Sequence, residues 1–272
     1  MSKIAVAMSI YHGDILSNIK MSINSVLEQS YYDFDFFIEV DGVCDFEIND
    51  YLIEISSKFK NIFLNFHDVN LGLAYRLNTI IDNSLKNNYT YLARMDADDI
   101  CHKDRFQKQV SFLESHENID LVGSDVIEID DMGKHLFYKK METNSKLIIS
   151  NVIKKCPLNH PTVMFRTSVF HDPLNRYNHL LKNTQDYYFW IDLISKGYCL
   201  SNINEPLLYF RVDKNFHKRR GLKKAFNDIL SRFYAMNKLN CFSVPNVIYV
   251  FLLFGLRLSP SFIKKFSYRK YR

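Results

Sequence analysis

Three carboxylates crowd one short stretch, Tyr91-Leu-Ala-Arg-Met-Asp-Ala-Asp-Asp-Ile100. Asp96, Asp98 and Asp99 follow a strand-like apolar run, Tyr91-Leu92-Ala93. Like charges this close repel one another and lose hydration if buried, so something positive should hold them. A hard divalent cation with oxygen ligands answers that need, and Mg²⁺ prefers one or two carboxylates together with substrate phosphates. The same residues also read as a solvated acidic turn that caps the next helix. An EF-hand does not fit, because counting from Asp96 the sixth residue is Cys101 rather than Gly and the twelfth is Gln107 rather than Glu.

The elements that would position this corner follow a simple alternation. Ile4 to Tyr11 reads as a buried strand, apolar almost throughout, as strands covered on both faces are. His12-Gly13-Asp14 breaks it, and Ile15 to Gln29 places Ile15, Ile19, Ile23, Val26 and Leu27 at helical spacing. Phe34 to Val40 is a second strand ended by Asp41-Gly42, residues 50–59 are helical, and Ile62 to Phe66 is a third strand. Asn70-Leu-Gly-Leu73 then turns, with Gly72, into a helix running through Ser84. This pattern predicts an α/β fold with a mostly parallel sheet wound by helices. Such sheets bind ligands beyond the carboxyl ends of their strands, where Tyr11, Asp41 and Asp96–Asp99 would gather.

Further along, Asp104 to Ser115 is amphipathic, and Ile119 to Ile129 is strand-like before the hairpin-type turn Asp130-Asp-Met-Gly133. Residues 145–154 look helical, Cys156 to Pro161 a loop, and Thr162 to Phe165 a short strand. Asp186 to Ser195 is a helix with Trp190, Ile191 and Ile194 on its apolar, core-facing side, stopped by Gly197. Leu207 to Arg211 is a last strand. No internal repeat or low-complexity segment is present.

With 272 residues, 47% apolar and 24% charged, the chain can bury a large core as a single α/β domain or as one domain plus an appendage. Five cysteines without CxxC spacing argue against a disulfide framework or a zinc site, and a reducing cytosol fits. Met-Ser-Lys runs directly into a strand, which is not the pattern of a cleavable signal sequence. No stretch reaches the roughly 18 apolar residues of a membrane span. The net charge of +5 is unevenly divided. Residues 214–272 hold 14 Lys/Arg and one acid, Asp228, whereas residues 1–213 hold 21 basic and 29 acidic side chains. An acidic body with a basic tail suggests chemistry in the body and attachment to something anionic through the tail.

Taken in order, Tyr11, Asp41-Gly42, Asn70-Leu-Gly-Leu73, Arg94-Met-Asp-Ala-Asp-Asp99, His160-Pro-Thr162, Gln185-Asp186-Tyr187 and Tyr209-Phe-Arg211 resemble a bacterial family 2 glycosyltransferase. The resemblance covers about residues 3–213. It implies a GT-A fold, a nucleotide-sugar donor, here expected to be a UDP-sugar, and, as is usual in the family, inversion at the anomeric centre. It also implies Mg²⁺ or Mn²⁺ on Asp98, with Asp96 at the ribose or at the metal through water, and a base at Asp186 beside Gln185. Asp186 equally suits a helix cap. On the donor side the resemblance points to Ser9, Tyr11, Asp41, Asn70, Gly72, Arg76, Arg94 and Arg211. Arg76 is otherwise a solvated helix arginine. His160 falls on the acceptor side, or is a hydrogen-bonded structural group. The chain departs from the family pattern at Ser9, where Pro is common, and at His12, where Asn is common. A second acid is missing before Asp41, Gln185 replaces Glu, and Asp213 replaces a His, which leaves His217 as a substitute metal or phosphate ligand.

The tail opens with the basic Phe216-His-Lys-Arg-Arg-Gly-Leu-Lys-Lys224 and is expected to be helical to about Leu239, with a second helix from Ser243-Val-Pro245. Val247 to Leu256 carries no charge, and beyond Pro260 aromatic and aliphatic residues alternate with Lys and Arg. That mixture suits a helix lying in the interface of an anionic leaflet. It also suits packing on the body or a homodimer contact. No nucleic-acid-binding signature accompanies the charge. The sequence therefore leads to a GT-A catalytic domain at 1–213 and a basic helical extension at 214–272. The expected protein is cytoplasmic, peripheral on the inner face of the plasma membrane, and glycosylates a lipid-linked saccharide in surface polysaccharide, O-antigen or capsule, biosynthesis. A non-catalytic nucleotide-sugar-binding protein and a membrane or anionic-polymer adaptor are the readings from other classes.

Overall fold

A computed structural model describes residues 3–181, 183–212 and 222–259. Strands β1 (Ile4–Ile10), β2 (Phe34–Asp41), β3 (Ile62–His67) and β4 (Tyr91–Arg94) lie in the order β3-β2-β1-β4, all parallel. Helices α1 (Leu16–Leu27), α2 (Phe46–Lys58) and α3 (Leu73–Lys86) connect them. β1 sorts its side chains by size. Ile4, Val6, Met8 and Ile10 face α1 and α2, while Ala5 and Ala7 face α3, the small residues making room for Leu77, Ile80 and Ile81.

The second half continues the same sheet in mixed sense. After β5 (Ile100–Cys101) and α4 (Arg105–Ser115) come β6 (Leu121–Ile129), β7 (His135–Lys139) and α5 (Ser145–Asn151). A 3-10 turn at His160–Thr162 leads into β8 (Met164–Arg166), followed by α6 (Gln185–Ser195) and β9 (Leu200–Arg211). The order runs on as β4-β8-β6-β9-β5, with β8 antiparallel to both neighbours and β6 parallel to β9. Among the described residues the sheet thus has nine strands and is covered by helices on both faces. β9 begins at Leu200, seven residues before the strand expected from hydrophobicity. Its polar first half pairs Leu200–Ile203 with Leu121–Ser124, and the register slips around Asp125 opposite Pro206, which has no N–H to offer the ladder. The expected hairpin at 130–133 forms, with Asp130 Oδ1 accepting from the Met132 and Lys134 amides (2.9 Å each).

Two helices follow the undescribed residues 213–221, α7 (Leu222–Lys238) and α8 (Val244–Leu258). They pack on each other and α7 packs along α6. Ala235, Met236 and Val250 belong to the buried cluster that contains Trp190. The Arg232 guanidinium lies 3.9 Å from the Tyr187 ring centroid, and the Tyr234 hydroxyl donates to the Asp192 carboxylate. The helices of the expected tail therefore share the core of the body at 222–259.

Candidate active site

Strand order reverses between β1 and β4. From β1 the chain winds outward through β2 and β3, then returns to the other side of β1 as β4. Helices on the two sides diverge at such a point and leave a crevice beyond the strand ends. The Met95 amide donates to Ala7 O (3.0 Å), which holds the chain after β4 against β1 until the acidic turn begins. A cavity of about 310 Å³ opens there. Ser9, Tyr11 and Asp14 enter it from the end of β1, Asp41 from β2, Asn70, Gly72 and Leu73 from the loop after β3, and Asp96 and Asp98 from the turn after β4. A wider cleft of about 600 Å³ between α4, α5 and β9 contains none of the residues singled out by sequence, so volume alone does not mark the site.

Asp41 builds the wall on the β2–β3 side. Its Oδ1 accepts from the Leu71 amide (2.9 Å) and Arg76 Nε (2.6 Å), and its Oδ2 accepts from the Gly72 amide (2.8 Å). The Asn70 side-chain amide donates to Asp41 O (3.0 Å), and Arg76 also donates to Val69 O (2.6 Å). Asp41 and Arg76 are both buried, so Arg76 is not the solvated helix arginine that the sequence allowed. Gly42 has a φ of +89°, and a Cβ there would stand 3.1 Å from the Asn70 amide nitrogen. The carboxylate therefore fixes the Asn70–Gly72 loop at the rim, with most of its acceptor capacity engaged inside the protein.

The acidic corner is held by two buried arginines. Arg94, expected at the donor, lies beneath the turn and donates to Asp96 Oδ1, to Met95 O and to Ala7 O (3.3 Å). Ser22 Oγ in α1 donates to Asp96 O (2.8 Å). Arg211, also expected at the donor, comes from the end of β9. Its Nε donates to Asp98 O (2.9 Å), its amide to Asp99 Oδ1 (2.8 Å), and its guanidinium to Asp130 O (3.0 Å) and Asp131 O (3.1 Å). Asp99 thus ties the turn to β9 and does not cap α4.

One carboxylate oxygen from each of Asp96, Asp98 and Asp99 lies within 4.8 Å of the others. Burial, then the Asp96 charge, pushes the Asp98 carboxyl up to about 6, against the pull of Arg211 and Arg94. Burial and the charges of Asp98 and Asp96 hold Asp99 well above the usual carboxylate range. Asp14 behaves alike, raised to about 7 by burial first and by Asp98 and Asp96 after it. Asp99 Oδ2 is buried and has no hydrogen-bond donor. Three mutually repelling carboxylates and an orphaned buried oxygen fit a hard divalent cation.

The expected acceptor side lies apart from this cavity. Gln185 and Asp186 head α6 and are half-buried. The residue before them, Thr184, has φ +60° and ψ 16°, a left-handed conformation that is unusual for a β-branched side chain. Thr184 makes no side-chain cap to α6. His160 Nε2 shares a hydrogen bond with the Tyr177 hydroxyl (3.0 Å), and its ring meets Trp190 of α6 edge-on at 6.0 Å. Burial, with the nearby Arg94 charge, holds the His160 imidazole well below its usual pKa, so it stays neutral. Tyr177 links the two carboxylate corners. Burial raises its phenol, and the charges of both Asp186 and Asp96 add to that rise, so both acids lie within electrostatic reach of one side chain.

Two residues of this region escape sequence reading. Asp14 sits in what looks like a strand-ending turn, and its hydrogen bond from the Tyr11 amide (2.9 Å) is a local turn feature that an Asp after Gly would have signalled. Tyr177, in an irregular stretch, has no signal at all. Its position comes from Asn78 of α3, which bonds both the amide (2.9 Å) and the carbonyl (2.8 Å) of Tyr177 across the fold. His217, expected as a substitute ligand, lies outside the described residues.

Comparison with known proteins bears on this geometry. The sequence profile described as "Glycosyl transferase family 2" matches residues 5–176. The chain is 28% identical to the amylovoran biosynthesis glycosyltransferase AmsE of Erwinia amylovora, over 98% of each chain. In three dimensions it resembles S. aureus TarS 1-349 in complex with UDP, with a TM-score of 0.68 at 15% identity, covering 98% of this chain and 75% of that one. The mannosyltransferase PcManGT from Pyrobaculum calidifontis, in complex with GDP-Man and Mn²⁺, superposes with a TM-score of 0.59 at 12% identity over 97% and 83% of the two chains. The fold is that of GT-A glycosyltransferases.

Proposed function

Because the chain belongs to glycosyl transferase family 2, we propose that it moves one sugar, with inversion, from a nucleoside diphosphate donor to a hydroxyl of a lipid-linked saccharide. The observation that carries this reading is the acidic corner at the strand-order reversal, where Asp96 and Asp98 line the cavity, a carboxylate oxygen of the buried Asp99 lies within 4.8 Å of theirs, and Asp99 Oδ2 lacks a donor. A UDP-sugar is the donor we favour. The likeness to a glycosyltransferase of amylovoran biosynthesis supports a surface polysaccharide product.

In this reading Ser9, Tyr11, Asn70 and Gly72 take the nucleoside, on a wall that Asp41 and Arg76 keep rigid. Arg94 and Arg211 hold the acidic turn in place from beneath and from β9. Asp98, with Asp96, would hold Mg²⁺ or Mn²⁺. When bound, the ion offsets negative charge that develops on the departing nucleoside diphosphate. Asp186 accepts the proton of the acceptor hydroxyl as that oxygen attacks the anomeric carbon. Neutral His160 bonds Tyr177 and meets Trp190 of α6, which ties the loop before β8 to the helix that carries Asp186. Gln185 adds no charge beside the base, so Asp186 meets no acidic neighbour in sequence. The site of action is the inner face of the plasma membrane, where a lipid-linked acceptor is met.

Thermal-shift screening of nucleotide sugars with and without Mn²⁺ tests the reading. Donor-specific stabilisation that requires the ion and vanishes in Asp98→Asn is expected. Asp186→Asn should keep that stabilisation and lose transfer by about 10²–10⁴-fold. Near-normal transfer by Asp186→Asn would remove Asp186 from its role. Ion-independent donor binding would remove the metal.

A further inference from the structure

The paired helices α7 and α8 present an apolar ridge that nothing else among the described residues covers. On α8, Val244, Ile248, Phe251 and Leu252 are all more than half exposed, Phe251 at 58% and Leu252 at 68%. Their spacing of i, i+4, i+7 and i+8 places them on one face of the helix. α7 adds Phe226 and Leu230, also exposed. Phe226 packs on Phe254 (5.4 Å between centroids) and Phe233 on Phe251 (6.4 Å), so the two helices form one continuous surface. The opposite side of α8 already serves the body, with Val250 buried and the Tyr249 hydroxyl donating to Lys154 O (2.9 Å). Side chains of this size, grouped on one face and left in water, mark an interaction surface.

Charge decides what covers it. The only acid in residues 214–272 is Asp228, and it is buried, so neither helix brings an exposed carboxylate of its own to the ridge. The sequence before and after the ridge is basic, with Lys218-Arg-Arg220, Lys223-Lys224, Lys264-Lys265 and Arg269-Lys270. By sequence the two helices carry Lys223, Lys224, Arg232, Lys238 and Arg257 against the single acid Asp228, so a second copy offering the same two helices would bring like net charge to like. An anionic bilayer accepts both features, taking the apolar side chains below its headgroups and pairing Lys and Arg with lipid phosphates. The 15 residues of α8 rise only about 22 Å, short of the ~30 Å hydrocarbon layer, so the helix cannot cross it. Among the described residues no helix is long and apolar enough to span a membrane.

We propose that the α7–α8 ridge docks flat on an anionic lipid bilayer, with Phe251 and Leu252 at the centre of the contact. This deepens the membrane element of the proposed function but rests on the surface alone and requires no glycosyl transfer. The test is co-sedimentation of the full chain with vesicles of phosphatidylcholine, alone or mixed with phosphatidylglycerol, at low and high salt. Binding to the mixed vesicles is expected, weakened by salt and by omission of phosphatidylglycerol, and reduced about tenfold or more in the Phe251→Glu/Leu252→Glu double variant. The same variant should keep its melting temperature and any donor-induced stabilisation, which separates failure of docking from failure of the catalytic reading. A second variant, Phe251→Trp, keeps the surface apolar. Its added fluorescence should be quenched by brominated phosphatidylglycerol, while the core Trp190 is not. Absence of vesicle binding by the unaltered chain overturns the proposal, as does binding that ignores lipid charge. A dimer in sedimentation velocity that the double variant dissolves, without vesicle binding, assigns the ridge to self-association instead.

Discussion

At Asp14 the folded protein keeps a proton that the unfolded chain releases. The ordinary carboxyl value is near 3.8, whereas Asp14 is raised to about 7. Between those limits the native state binds more protons than the unfolded one. The stability that this group contributes is therefore complete below about pH 4 and lost as pH rises to about 7. Asp14→Asn keeps an acceptor for the Tyr11 amide but cannot ionise. In the absence of divalent ions, its melting temperature should gain on that of the unaltered chain as pH climbs from about 4 to about 7, then stay level. A difference that does not vary with pH would place Asp14 at an ordinary carboxyl value. The acids of the corner were legible because three carboxylates in four residues carry an obvious electrostatic cost. The roles of Arg76, Arg94 and Arg211 were not. A sequence gives their charge but not their direction, and all three point inward at the protein's own carboxylates and carbonyls.

Elements follow a similar division. The strands β1 to β4 are readable as apolar runs because a parallel strand buried on both faces has little freedom of composition. Only the second half of β9 is legible, since Leu200–Ile203 contains Ser and Asn and gains its place from pairing with β6 across a long separation in sequence. Asp41-Gly42 reads in sequence only as the end of β2, yet its geometry sets the rim of the cavity. Gly42 combines a φ of +89° with backbone of Asn70 within 3.1 Å of where a Cβ would sit. Gly42→Ala should cost roughly 1–2 kcal/mol or more in urea unfolding, since both conformational strain and displacement of the Asn70–Gly72 loop are involved. It should also weaken donor-induced stabilisation. If unfolding shifts and donor binding does not, the loop is scaffold and not part of the donor wall.

On the scale of the whole molecule, a boundary near 213 matched the change in charge but not the core. Composition shifts where α7 begins, whereas Ala235, Met236 and Val250 are buried with Trp190. Cutting the chain after residue 212 should therefore expose that cluster, lower the melting temperature by many degrees or prevent folding, and remove activity for structural reasons. Cutting after residue 259 should leave melting close to that of the full chain. A shorter fragment that melts like the full chain would make the two helices an independent unit after all. Loss of function on deleting 214–272 accordingly says nothing about an adaptor role.

One helix serves two neighbours. α6 carries Asp186 at its first turn, and along its flank it receives Arg232 over Tyr187 and Tyr234 at Asp192. The cavity wall on β1, β2 and the loop after β3 takes no part in those contacts. A shift of α7 therefore has its direct path, through Arg232 over Tyr187, to the first turn of α6, where the proposed base stands.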